Sequence, residues 1–131
     1  MISMFLLAGA ARPVYASNAF VTSNTAASTA SPVSITAISV NAGNTVIAIA
    51  GATGGSVVFS DSETDTPTLV NTEVDSGLTV FEQMSYFTVA TTSTTYTVTA
   101  TYSGGSTRNT LVVLVYSGVT SIGNNAVSTG S

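Results

Sequence analysis

The chain contains no cysteine, histidine, lysine or tryptophan, and its only basic residues are Arg12 and Arg108. Without cysteine it forms no disulfide and offers no thiolate for catalysis or for a zinc or iron–sulfur site. Without histidine or lysine, its serines lack the base that normally activates a serine nucleophile. These absences exclude the usual nucleophile–base pairs of hydrolytic enzymes.

Charge of either sign is scarce as well. Only 6% of the residues are charged and the net charge is −4, whereas about a quarter of the residues are charged in ordinary soluble domains. Two arginines make no basic patch, so neither nucleic acid nor an anionic lipid surface is an expected partner. The one strongly apolar run, at the N-terminus, is about ten residues long and shorter than the roughly 20 needed to span a bilayer.

Threonine and serine dominate what is present. The 131 residues include 23 threonines and 19 serines beside 44% hydrophobic residues, mostly valine, isoleucine, alanine and aromatics. β-Branched and aromatic side chains suit a pleated, half-buried surface, so the composition predicts strands. A charge-poor, hydroxyl-rich chain is typical of secreted proteins, and we expect an extracellular or cell-surface location. No Asn-x-Ser/Thr sequon occurs, although the threonine-rich faces could carry O-linked glycans.

Short apolar runs recur with turn signals between them from residue 33 onward, and no segment has a helical period. Seven strands are predicted, at 33–40, 45–50, 56–60, 68–74, 78–90, 94–102 and 109–117, and residues 118–131 form a further edge strand or a tail. Strands at this spacing indicate one all-β domain over 33–131, a two-sheet β-sandwich of immunoglobulin-like or jelly-roll type.

Three patterns refine this prediction. Tyr96, Val98, Ala100 and Tyr102 alternate with threonines, which predicts one buried and one solvated face. The runs 45–50 and 111–116 are apolar throughout, which predicts central strands covered on both faces. Two slips in the apolar phase, between residues 35 and 38 and near 82–83, predict β-bulges.

The acidic residues are few enough to consider one by one. They are Asp61, Glu63, Asp65, Glu73, Asp75 and Glu82. Glycoside hydrolysis needs two carboxylates at a set separation, but most of these six lie in or beside turns, where carboxylates are usually only solvated. The alternating acids of the 61–65 loop could bind Ca²⁺, but they lack the glycine and distal glutamate of an EF-hand. The favoured interpretation is an acidic turn that caps backbone N–H groups. We therefore predict no catalytic residues, no metal and no cofactor.

The N-terminal region 1–20 is predicted to form an apolar arm, either a donor strand or a signal-peptide remnant. Ile2, Met4, Leu6 and Ala8 would lie on one face of a strand, with Phe5 and Leu7 on the other. A strand that is apolar on both faces belongs inside a sandwich. Residues 21–32 are small and polar without apolar periodicity, which predicts a flexible linker.

Three interpretations of the arm remain open. It resembles a secretory signal peptide with a small-residue cleavage pattern at Val14 and Ala16, before Ser17, although no positive charge precedes the apolar run. It could instead be a strand donated to a neighbouring subunit by β-augmentation, or a strand or helix of its own domain. An apolar arm on a flexible tether favours the donated strand.

Several short motifs carry a resemblance. They are Ser60-Asp61-Ser62, Thr66-Pro67-Thr68, the Thr-rich strand 96–101 and the apolar strand 111–118, which ends in Tyr-Ser-Gly. Over residues 34–118 the chain resembles β-sandwich modules of secreted bacterial and archaeal surface proteins. Its layout, arm first and sandwich after, is similar to that of pilus-like filament subunits assembled by strand donation. The resemblance implies a structural or adhesive role and no catalytic site.

The sequence thus predicts a non-enzymatic structural subunit of an extracellular helical filament or pilus. Its partner would be itself, in a head-to-tail homopolymer. The predicted interface residues are those of the arm: Ile2, Met4, Phe5, Leu6, Leu7 and Ala8. The alternative is a monomeric secreted module that is adhesive or binds carbohydrate. Tryptophan, the most common sugar-stacking residue, is absent, and of the adjacent Tyr86 and Phe87 only one would face outward.

Overall fold

The computed structural model describes residues 17–75, 80–104 and 108–123. All regular structure in these ranges is β. The strands are β1 (Ala19–Ser28), β2 (Val33–Val40), β3 (Thr45–Thr53), β4 (Ser56–Asp61), β5 (Thr68–Asp75), β6 (Val80–Thr88), β7 (Ser93–Ser103) and β8 (Asn109–Ser117). Within the same ranges, no helix is long and apolar enough to cross a membrane.

The strands form two antiparallel sheets, which confirms the predicted β-sandwich. The larger sheet has five strands in the order β1-β8-β3-β6-β5, and the smaller has three in the order β2-β7-β4. The pairs are nested, because the first strand pairs with the last, the second with the seventh and the third with the sixth. This nesting is similar to that of a jelly roll, except that β5 pairs with β6 in the larger sheet and not with β4, and the strand order differs from that of an immunoglobulin domain.

The core lies between the sheets and follows the alternation seen in the sequence. All four inward residues predicted for β7, from Tyr96 to Tyr102, are buried. They face buried side chains of the larger sheet such as Val46, Phe87 and Leu111. The threonines between them point outward, as expected for a sheet with one solvated face.

The two apolar runs form central strands, as predicted. β3 and β8 are neighbours inside the five-stranded sheet. Only their inner faces are buried, however: Val46 and Ala48 are inaccessible, whereas Ile47 and Ile49 on the outer face are half-buried. The prediction that β3 and β8 are covered on both faces is therefore wrong for the described part of the chain, because only two sheets are present there and neither covers the outer face of the larger one.

One of the two predicted bulges is confirmed. The register of β2 against β7 shifts between Ile35 and Ile38, and Ala37 at this point has a positive φ of 57°. The bulge predicted near 82–83 is wrong, because β6 pairs with β3 without interruption. The polar Ser85 is buried on the inner face of β6, so its polarity made the inward alternation look shifted.

The predicted linker 21–32 is also wrong over most of its length. Residues 19–28 form β1, which pairs with β8 from Ala19 opposite Ser117 to Ser28 opposite Asn109. An edge strand is held by backbone hydrogen bonds and needs few apolar side chains, so its sequence looks like a linker. Only Ala26 packs against the core.

Candidate functional site

The smaller sheet is incomplete beside β4. β4 pairs with β7 along one side, and in the described ranges no strand pairs with its other side. The backbone N–H and C=O groups along that side form a free edge, which is a template for another strand.

The inner face of β5 is uncovered at the same place. Leu69 lies opposite Ser85 and Val74 opposite Phe81, and both of these partners point into the sandwich. Leu69 and Val74 are nevertheless 58% and 61% exposed. The cause is the mismatch between five strands and three, because the smaller sheet ends above β6 and does not reach over β5. We refer to the free edge of β4 together with Leu69 and Val74 as the β4–β5 margin.

The margin has the geometry of a vacant strand position. A strand added to β4 would lie above β5 and place one face on Leu69 and Val74. Its other face would lie beside Val58, which is 66% exposed on the outer side of β4. Exposed apolar side chains therefore lie on both sides of the position that an added strand would take. The β4 edge available for pairing is six residues, about 20 Å, long.

On the opposite side of the sandwich, the edge strands β1 and β2 lie near each other and follow one another in the chain. The connection from β1 to β2 is fixed by Ser31, whose Oγ accepts a hydrogen bond from Tyr102 N at 2.9 Å and donates one to Tyr102 O at 3.1 Å. Asn109 Nδ2 donates to Ala30 O at 3.1 Å in the same corner. β1 and β2 have an unpaired side as well, and the β4–β5 margin is distinguished by the exposed inner-face residues Leu69 and Val74.

The acidic loop after β4 is organised by its own backbone. Asp61 Oδ1 accepts hydrogen bonds from Glu63 N at 2.6 Å and from Asp65 N at 3.2 Å. Asp65 Oδ1 accepts one from Ala90 N at 3.3 Å. These contacts match the predicted capping turn. Among the described residues, no group of three or more acidic, histidine or cysteine side chains could hold a metal ion.

The loop also determines the electrostatics of Tyr96. Its ring is buried, and its hydroxyl donates a hydrogen bond to Asp65 Oδ2 at 3.2 Å. Burial raises the pKa of Tyr96 far above its usual range, and the negative charges of Asp61 and Asp65 raise it further. Burial also raises the pKa of Tyr102, to about 12. Both phenols therefore remain neutral hydrogen-bond donors at any physiological pH.

Replacing Asp61 separates the capping role from a metal-binding role. We expect Asp61→Ala to lower the free energy of unfolding by about 1–3 kcal/mol, because two N–H groups lose their acceptor. Asp61→Asn keeps an oxygen acceptor and should cost clearly less. Urea unfolding of both variants, with and without millimolar CaCl₂, measures this. Equal losses in both variants, or a Ca²⁺-dependent stabilisation of the unsubstituted chain, would contradict the capping role.

The predicted interface residues and the margin come from different parts of the chain. The six arm residues, Ile2, Met4, Phe5, Leu6, Leu7 and Ala8, lie outside the described residues. The sequence analysis missed Leu69 and Val74, since a valine or leucine in a short strand looks the same whether or not a second sheet covers it. The remaining acids are elsewhere: Glu73 on β5 lies directly opposite Glu82 on β6.

The described residues thus form a two-sheet β-sandwich in which an unpaired strand edge and exposed inner-face residues coincide at the β4–β5 margin. No protein-family model, curated protein or solved structure matches the chain.

Proposed function

We propose that this protein is a structural subunit of an extracellular filament, assembled by donation of the N-terminal arm to a neighbouring subunit. The arm, residues 2–8, pairs with the free edge of β4 of the next molecule and completes its smaller sheet. The observation that carries the proposal is the β4–β5 margin, where an unpaired edge and two exposed core-side residues, Leu69 and Val74, coincide.

The arm has the size and chemistry that the margin requires. Its seven residues span about 23 Å when extended, close to the length of β4. Ile2, Met4 and Leu6 share one face and can cover Leu69 and Val74, while Phe5 on the other face lies beside Val58. Burying three or four such side chains contributes about 5–12 kcal/mol before the cost of ordering the arm.

Donation between molecules produces a polymer. Each subunit offers one arm and one margin, and these are different surfaces, so the contact is head-to-tail and an open chain results. Residues 9–16 separate the arm from Ser17 and reach at most about 28 Å, enough to leave the parent subunit. The charge-poor, hydroxyl-rich composition supports an extracellular location.

Electron microscopy of the purified full-length chain provides the first test. We expect fibres from the unsubstituted chain and none after deletion of residues 2–8. The deletion removes none of the buried core residues of the described part of the chain, which run from Val33 to Val115. Leu69→Lys should also abolish fibres without unfolding the protein, because this side chain is largely exposed. The matched control is Val21→Lys at the opposite side of the larger sheet, where the side chain is 45% exposed.

Mixing the two defective chains tests donation between molecules. The Leu69→Lys chain keeps its arm and the deletion chain keeps its margin, so together they should form one-to-one complexes and no fibres. Fibres from the deletion chain would overturn the proposal. Monomers of the unsubstituted chain at all concentrations would also overturn it, in favour of an arm folded onto its own subunit or a monomeric adhesive module.

A further inference from the structure

The outer face of the larger sheet is apolar where a solvated sheet would be polar. Its three central strands present six half-buried side chains in two rows. One row is Leu114, Ile47 and Tyr86, and the next is Val112, Ile49 and Met84. We refer to these six residues as the outer stripe.

The smaller sheet of the same molecule shows the contrast. The outward residues of β7 between Thr95 and Thr101 are all threonines, as expected for a face in water. Segment 119–122 lies near Tyr86 at one end of the outer face. A contiguous apolar stripe of this kind on a sheet face marks an interaction site.

The surroundings of the stripe resemble a protein–protein interface. The neighbouring positions on the edge strands are polar: Ser23 and Thr25 on β1, and Thr68 and Asn71 on β5. An apolar centre with a polar rim is the usual arrangement of such interfaces.

Charges of opposite sign lie on the two sides of the stripe, at the same end. On the β6 side, Glu82 is directly opposite Glu73, and two like charges in these positions repel each other. On the β8 side, Arg108 is exposed directly before β8 and lines the same cavity as the outer-face residue Thr110. Arg108 is the only basic residue in the described ranges.

We propose that the outer stripe is a self-association surface on which a second copy of this chain packs face to face. The two copies are related by a two-fold axis parallel to β3. β8 and β6 lie on either side of β3, so this axis places β8 of one copy on β6 of the other. The proposal is independent of strand donation, which uses a different surface.

The two-fold arrangement places apolar side chains against apolar side chains and opposite charges against each other. Ile47 and Ile49 on the axis pack against their own counterparts, while Val112 and Leu114 pack against Met84 and Tyr86 of the second copy. Arg108 of each copy approaches the Glu73–Glu82 pair of the other, and the contact occurs twice because the interface is isologous. The repulsion between the two glutamates is thereby offset.

Cross-linking at the axis tests for the contact. Because the chain contains no cysteine, Ile49→Cys introduces a single thiol that faces its counterpart across the interface. A short bismaleimide should convert this full-length variant into covalent dimers on a denaturing gel. Ser39→Cys, exposed on β2 at the edge of the smaller sheet farthest from β4, is the matched control and should give at least about tenfold less dimer.

Charge reversal tests the axis itself. In the Ile49→Cys background, Arg108→Glu or Glu82→Arg alone places like charges together twice, and each should lower the dimer yield at least about tenfold. Mixing the two single-reversal proteins restores both opposite-charge contacts and should restore cross-linking between them. Glu63→Arg, in the loop away from the face, should have no effect.

Three outcomes would overturn the proposal. If the thiol introduced by Ile49→Cys is protected from maleimide in monomeric protein, another segment of the same chain covers the stripe. A reactive thiol that forms no dimers would show that the stripe binds no second copy. Dimers that are insensitive to both reversals would rule out the two-fold arrangement.

Discussion

Phe87→Ala is expected to lower the free energy of unfolding by about 3–5 kcal/mol. Phe87 is fully buried on the inner face of β6, opposite Val46 of β3. Its truncation removes an aromatic ring from the core and leaves a cavity between the two sheets that the surrounding side chains fill only in part. A loss of this size is a large part of the stability of a small domain.

The matched control is Phe20→Ala on the outer face of β1. Phe20 is 58% exposed and contacts the ring of Tyr116 edge to face, with 5.7 Å between the ring centroids. Removing it should cost about 1 kcal/mol or less. Urea unfolding monitored by circular dichroism compares the two variants. Similar losses for both, or a loss below about 2 kcal/mol for Phe87→Ala, would contradict the inner and outer assignment of the two rings.

Stability is expected to fall steeply above pH 10. An unfolded tyrosine ionises near pH 10, whereas burial raises the pKa of Tyr102 to about 12 and raises that of Tyr96 further. Between these values the unfolded chain releases protons that the folded chain retains, so the stability present below pH 10 is lost as the pH rises. In this range each tyrosine lowers the free energy of unfolding by about 1.4 kcal/mol per pH unit, and the two together by about 3 kcal/mol per pH unit.

The composition leaves few other groups that titrate in this pH range. The chain has no lysine or cysteine, so the side chains that titrate between pH 9 and 12 are tyrosines alone. Urea unfolding at intervals from pH 8 to 11.5 gives the slope, and Tyr102→Phe should reduce it by about half. A free energy of unfolding that stays constant from pH 10 to 11 would show that these phenols are accessible in the folded protein.

Most strands could be predicted from the sequence because they carry a local pattern of apolar and turn residues. β2 and β8 match their predicted bounds at both ends, since turn residues and apolar alternation mark them locally. β1 was not readable, because an edge strand held by backbone pairing has no apolar signature, and the polar Ser85 on an inner face made the phase of β6 look shifted. These errors arise where contacts between distant residues, and not local preferences, determine the burial of a side chain.

The β4–β5 margin and the outer stripe depend even more on contacts between residues that are far apart in the sequence. Leu69 and Val74 become exposed only because β5 pairs with β6 in the larger sheet and leaves the smaller sheet with three strands. Similarly, Ile49 is an interior residue by its sequence pattern, and the absence of a third layer over the described strands places it at a surface.

The sequence by itself determined the absence of histidine, lysine and cysteine, the all-β class and the apolar character of residues 1–11, because residue types and their period carry that information directly. The partition into five and three strands, the β4–β5 margin and the outer stripe were decided only by the tertiary structure. The physical reason is that a free edge and an uncovered face are properties of which strands pair, and pairing joins residues as far apart as Ala19 and Ser117.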